Sequence, residues 1–147
     1  MVTSLHSENF IADLETEKAA LMEFVEILKK EQNALVQGKI DEIDYLASDK
    51  SRLIERLIQF DNHRNEYLKN QGLTLEKNSI STWFAKHYSN QSLWNELLKL
   101  VRMAQLLNHS NSLIISTHLQ HNQRAFTALH CAAGNVSLYG PKGQAYI

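Results

Sequence analysis

Few residues in this chain can interrupt a helix, and their positions divide it into long stretches. Its 147 residues include only five glycines and one proline. Gly38, Gly72 and Gly134 stand where a helical pattern stops, as expected of glycines that follow a helix C-terminus. The other two glycines and Pro141 lie close together near the end of the sequence. The chain between these positions is therefore predicted to form long, uninterrupted helices.

The spacing of apolar residues supports this division. They recur at steps of three, four and seven, which places them on one face of a helix. We predict helices over residues 7–37, 41–71, 76–88 and 92–133. In the second helix the apolar positions repeat about every 3.5 residues, and Lys50 and Arg64 fall on this apolar face. Their charged ends are expected to extend outward to water.

Three long helices joined by short links must run up, down and up. We therefore predict an all-α fold, an elongated antiparallel bundle of three long helices with the short helix packed across one end. Residues 1–134 would form the bundle, and the turn-rich residues 135–147 an extended, flexible C-terminal tail. No alternating strand pattern competes with this prediction.

Composition excludes several classes of protein. Lys and Arg total 15 against 16 Asp and Glu, a net charge of -1 that does not suit non-specific nucleic-acid binding. No apolar run reaches the roughly 18 residues of a membrane span, so no insertion into a membrane is expected. The N-terminus lacks the pattern of a secretory signal, and Cys131 is the single cysteine. These features predict a soluble protein of the reducing cytoplasm.

The last long helix differs from the first two because it carries few charges. Residues 92–134 contain one acid, Glu96, and three bases. Extra apolar residues lie off its main face, including Leu113, Ile115, Leu119, Phe126 and Leu129. Either this helix is central and covered on several sides, or its C-terminal half stays exposed until a partner covers it.

Three asparagines of this helix, Asn108, Asn111 and Asn122, allow two interpretations. An amide on a helix–helix seam fixes the register by requiring a matched partner. The same amide could instead form hydrogen bonds with a bound polypeptide. The residues alone favour the register role over the binding role.

No catalytic or cofactor site is predicted. His118 and His121 share a helix face, but no cysteine pair or nearby acid completes a metal site. Cys131 lies near a helix C-terminus, where the dipole disfavours a thiolate, and is expected to be a small packing residue. His121 followed by Arg124 loosely resembles the phosphorylatable histidine of helical phosphotransfer domains. A phosphotransfer or signalling module that uses His121 is therefore the alternative to a binding protein without enzymatic activity.

Three runs of residues resemble a known family. They are Leu107-Asn108-His109-Ser110-Asn111, then Asn122-Gln123-Arg124-Ala125, then Leu138-Tyr139-Gly140-Pro141-Lys142-Gly143-Gln144. Together with the all-helical layout over nearly the whole chain, they resemble the FlgN family of flagellar export chaperones. The tail run is the most specific of the three. Lys142 departs from the acidic residue that family members often carry there.

The resemblance implies a cytoplasmic chaperone that binds the helical terminal segments of hook-associated subunits at the hook–filament junction. It would prevent their premature assembly and deliver them to the flagellar type III export gate. The family assigns cargo binding broadly to the C-terminal region, and gate docking to the tail, here Leu138, Tyr139 and Gly140. The cargo-binding residues that we predict are Asn111, Leu113, Ile115, Leu119, Asn122, Phe126 and Leu129. When it holds no cargo, such a bundle could form a homodimer.

Overall fold

A computed structural model describes the backbone of residues 2–74, 77–87 and 91–133. It contains four helices, α1 (Val2–Gln37), α2 (Ile40–Asn70), α3 (Lys77–His87) and α4 (Gln91–Ala133), with no strand in those ranges. The all-α prediction of three long helices and one short helix is confirmed. The α1 helix begins earlier than the predicted start near residue 7, because residues 2–6 contain no glycine or proline. Gly134 and residues 135–147 lie outside the described part of the chain.

Two glycines end the first two helices in the same way. Gly38 and Gly72 have φ angles of 69° and 79°, in the left-handed region that only glycine enters without strain. After α1, Lys39 N donates to Ala34 O at 2.9 Å and Gly38 N donates to Leu35 O at 3.4 Å. The equivalent pair of bonds closes α2. This pattern is the Schellman motif, which satisfies the last carbonyl groups and turns the chain sharply.

Alanine at either glycine should lower the free energy of unfolding by about 1–2 kcal/mol, because a left-handed residue with a Cβ is strained. A Cβ added at Gly38 or Gly72 would meet nothing within 4 Å, so the effect should come from the backbone alone. Urea unfolding followed by circular dichroism would measure it. Equal stability of the wild type and both variants would contradict the left-handed conformation.

The α1 helix lies between α2 and α4 and packs along both. Three apolar clusters follow its length. The largest is at the end where α3 lies, and it joins Phe10 and Leu14 of α1 to residues of all three other helices. Six of its buried members come from α3 and α4: Ile80, Trp83, Phe84, Leu93, Trp94 and Leu97. The short helix thus covers one end of the bundle, as predicted.

The outward direction that the sequence suggested for Arg64 and Lys50 is wrong. Arg64 turns inward and pairs with the carboxylate of Glu17, which is buried in α1. Its guanidinium also lies 5.8 Å from the centre of the Trp94 ring. Lys50 donates to Glu31 Oε1 at 3.1 Å, and Glu31 is buried as well. Each of these two cations of α2 points into the bundle and neutralises a carboxylate of α1 that points toward it. Neither charge therefore needs to reach water.

These pairs also place two acids of α1 in the interior of the bundle rather than on its outer, solvated face. Glu17 and Glu31 stand two heptads apart on the face that packs against α2. Both therefore form polar layers among the apolar residues of the bundle. Burial lowers the pKa of Arg64 below its usual value, but a guanidinium remains charged at neutral pH.

Candidate partner-binding surface

The register between α1 and α4 determines where the bundle ends. The two helices run in the same direction, since Lys18 pairs with Glu96 and Gln32 Nε2 donates to Ser110 Oγ at 3.1 Å. The last residue of α1, Gln37, therefore lies level with α4 residues near 115–117. The α4 helix continues to Ala133, so about 16 residues extend roughly 24 Å beyond the end of α1.

Burial changes along α4 at the same level. Asn111 is the last buried residue of α4 among those whose side chains are described. Of the described side chains from Ile115 onward, every one except Gln123 is exposed. Four of the apolar residues predicted to bind cargo lie in this part and have large exposed side chains: Ile115, Leu119, Phe126 and Leu129. The explanation that neighbouring helices cover the whole of α4 is wrong for this part.

The exposed residues belong to two different faces of α4. At about 100° per residue, Ile115, Leu119 and Leu129 lie within roughly 80° of the direction in which Asn111 faces the bundle. Asn122 and Phe126 fall in the same sector. We call Ile115, Leu119, Asn122, Phe126 and Leu129 the projecting stripe. The stripe lies on the side of α4 that packs against α1 within the bundle. Beyond the end of α1, this side of α4 is exposed.

Leu113 is also exposed, but it does not join this stripe. The same rotation places it about 160° from the direction of Asn111, on the opposite side of the helix. Leu106 lies on that outer side as well and is exposed. From the sequence, all five apolar residues predicted to bind cargo were expected off the main face of α4, whereas the helix rotation leaves only Leu113 of them on the outer side.

Asn111 is the one predicted cargo residue that lies inside the bundle. Its side chain is 1% exposed, and its Nδ2 donates to Leu28 O at 3.0 Å and to Glu31 Oε1 at 2.9 Å. Lys50 binds the same carboxylate and also donates to Asn108 Oδ1 at 3.1 Å. One polar layer thus joins α1, α2 and α4 just before the projecting part begins. These contacts match the register role of Asn111, and we do not include it in the candidate surface.

The projecting part has almost no charge. Between Arg102 and the end of α4, the only charged side chain is Arg124 (histidine counted as neutral). His118 and His121 line a shallow concavity with Thr117 and Asn122. Within the described residues, no three His, Cys, Asp or Glu side chains are placed to hold a metal ion. The surface is suited to apolar and amide contacts with another polypeptide.

Two other sequence predictions concern this region. Cys131 is exposed, so the expectation that it packs against other helices is wrong. His121 is exposed too, beyond the level at which α1 ends. A phosphotransfer histidine would need helices packed around it, and the described residues place none there. Leu138, Tyr139 and Gly140 lie outside the described residues.

Within the described ranges, no helix combines the length and apolar character that crossing a bilayer requires.

Comparison with known proteins confirms the family resemblance. The family model described as FlgN protein matches residues 1–147. Flagella synthesis protein FlgN of Yersinia enterocolitica is 30% identical over 139 residues, which cover 90% of this chain and 88% of the relative. The protein of the same name from Yersinia enterocolitica serotype O:8 / biotype 1B (strain NCTC 13174 / 8081) gives the same values. No solved structure gives a significant match. The chain belongs to the FlgN family.

Proposed function

We propose that this chain is a cytoplasmic export chaperone that serves flagellum synthesis. Its cargo would be the helical terminal segments of hook-associated subunits, which it would keep from assembling early and deliver to the flagellar type III export gate. The names of its relatives support the connection to flagellum synthesis. The observation that carries the binding role is the projecting stripe, an apolar helix face that extends beyond the bundle.

The stripe is suited to hold an amphipathic helix reversibly. From Ile115 to Leu129 it covers about four helical turns, or roughly 21 Å. Burial of each large apolar side chain would contribute about 1.5–3 kcal/mol before other terms. Ordering a flexible cargo segment would offset about 2–5 kcal/mol of the total. The binding free energy that remains would give a reversible complex, which could form in the cytoplasm and dissociate at the gate.

A second contact would belong to the tail. The family resemblance assigns gate docking to Leu138, Tyr139 and Gly140. An aromatic side chain beside a glycine and a proline can be presented to one partner while α4 holds another. We therefore propose that α4 binds cargo and that the tail binds the export gate.

The test of the cargo site is a double substitution on the stripe. Leu119→Ala with Leu129→Ala should weaken cargo binding by about 30-fold or more, since each truncation removes roughly 1–2 kcal/mol of apolar contact. The cargo would be purified C-terminal fragments of hook-associated subunits from the same organism. Isothermal titration calorimetry would give Kd. The folded state should be little affected, because both side chains are already exposed.

Two matched variants serve as controls. Leu106→Ala removes an exposed leucine from the outer side of α4 and should bind cargo as the wild type does. Tyr139→Ala should also bind cargo normally while losing gate binding in a pull-down. If the wild type bound no hook-associated fragment, the proposed function would be wrong. If the stripe variant bound as tightly as the wild type, the location of the site would be wrong.

A further inference from the structure

The turn between α1 and α2 exposes large apolar side chains that no structural role explains. Val36, at the end of α1, and Ile40, the first residue of α2, are 68% and 70% exposed. The Schellman bonds around Gly38 hold the two helices at this turn. Two neighbouring aliphatic side chains exposed at the same turn form a small apolar patch, which is a candidate contact surface.

Helical phase directs both side chains toward α4. On α1, Leu28 and Gln32 contact α4, and Val36 continues this row at the same spacing of four. On α2, Lys50 reaches Asn108 of α4, and Ile43 lies two turns before Lys50 on the same face. Ile40 lies one turn before Ile43, about 80° around α2 from Lys50, at the edge of the side that faces α4.

The register places these residues beside the start of the projecting stripe. Val36 lies level with α4 residues near 114–116, because Gln32 pairs with Ser110. Ile40 starts the helix that runs back from the turn, so it lies slightly further along α4, near Leu119. Ile115 and Leu119 are exposed at this level. Val36 and Ile40, which we call the turn patch, therefore meet the stripe at a corner.

Tyr45 provides a contrast on the same hairpin. It is 81% exposed, but it lies about 140° around α2 from Lys50, on the side turned away from α4. An exposed side chain on this hairpin therefore belongs to the corner only if it also points toward α4.

Charge near the corner indicates which end of a bound helix would meet it. Asp44 lies about 40° around α2 from Ile40, Asp41 and Glu42 lie on other sides of the same first turns, and the one base beside these acids is Lys39. The projecting part of α4 offers only Arg124. A negative turn favours a positive partner end, either a helix N-terminus or a basic side chain.

We infer that the turn patch is a second contact surface of the cargo site, and that the cargo helix lies along the stripe in line with α1 with its positive end against Val36 and Ile40. This inference rests on the proposed function. A helix on the stripe alone would touch a single helix, whereas the corner also covers its end and fixes how far along α4 it sits. The turn patch would thus determine the position of the cargo.

Site-specific photo-cross-linking would test the arrangement with the full-length chain. A benzoylphenylalanine at position 40 should cross-link to the bound C-terminal fragment of a hook-associated subunit, and the same group at position 45 should not. Mass spectrometry of the product should place the link at the N-terminal end of the cargo helix. Links at position 40 to a second copy of this chain, or within the chain, would overturn the inference.

Affinity provides the second measurement. Val36→Ala with Ile40→Ala should weaken binding of the same fragment about tenfold, while Tyr45→Ala should leave Kd unchanged. Both variants alter exposed side chains, so each should fold normally. A wild type that binds the fragment, with unchanged affinity in the turn-patch variant, would reject this inference and leave the proposed function standing. A wild type that binds no fragment would reject both.

Discussion

Replacing Arg64 with methionine should lower the free energy of unfolding by about 3–5 kcal/mol, because the change leaves a buried carboxylate without its partner. Glu17 is 5% exposed and lies against the inner face of α2, where it forms an ion pair with Arg64. The guanidinium also binds Asp61 and lies over Trp94, so its removal affects three contacts at one level of the bundle. Chemical denaturation with urea would measure the loss.

Two further variants distinguish burial from charge. The double change Glu17→Leu with Arg64→Met should recover most of the stability, since an apolar pair of similar size can replace a buried ion pair. Lys29→Met removes a cation whose pair with Glu26 is exposed, and should change stability by at most about 1 kcal/mol. If Arg64→Met were no more harmful than Lys29→Met, the inward position of Arg64 would be wrong.

The two buried pairs have a further consequence for the fold. Glu17 and Glu31 are two heptads apart on α1, as are Lys50 and Arg64 on α2, and a single antiparallel register satisfies both pairs. A slip by one heptad would keep the apolar residues in contact but would place each cation against an apolar layer. The polar layers therefore favour one register among several that the apolar spacing allows.

The sequence was sufficient for the architecture because the relevant signals are local. Gly38 and Gly72 adopt the left-handed conformation, and each follows a helix at the point where the apolar pattern stops. The link between α1 and α2 is too short for anything but an antiparallel pair. These are properties of a few neighbouring residues, which a single sequence records directly.

The buried carboxylates were missed for a physical reason. A glutamate in an amphipathic helix is usually on the solvated face, and nothing near Glu17 or Glu31 in sequence indicates otherwise. The signal lies in a comparison of two helices: acids at a spacing of two heptads facing bases at the same spacing. Once the antiparallel hairpin is predicted, Lys50 and Arg64 on the apolar face should prompt a search for their partners.

The extent of the candidate surface could not be predicted from local sequence patterns. Which part of α4 is covered depends on the register of α4 against α1, and on α1 ending at Gln37 while α4 continues to Ala133. The low charge of α4 suggested that it is either central or partly exposed, and the first explanation is wrong, because α1 is the central helix and the described side chains of α4 from Ile115 onward are exposed except Gln123. Asn111 lies within the covered part and Leu119 beyond it, although the sequence around them is similar.

Phe84→Ala should have an effect as large as Arg64→Met, about 3–5 kcal/mol of unfolding free energy, at the opposite end of the bundle from the stripe. The Phe84 ring is fully buried, and stacks on Trp94 with 5.2 Å between ring centres. It also meets Trp83 edge-on at 5.3 Å. Removing it would leave a cavity at the centre of the aromatic cluster and weaken the packing of α3 against α4.

The same variant tests whether the two ends of the chain act independently. Along α4, Trp94 and Leu119 are about 38 Å apart, so loss of the Phe84 ring should leave the Kd for cargo within about twofold while the protein is folded. Lys86→Ala, an exposed change on α3, is the matched control for stability. A Phe84→Ala protein that remained folded but lost cargo binding would mean that the helices around α3 take part in the site. Binding could then not be assigned to the projecting end of α4 alone.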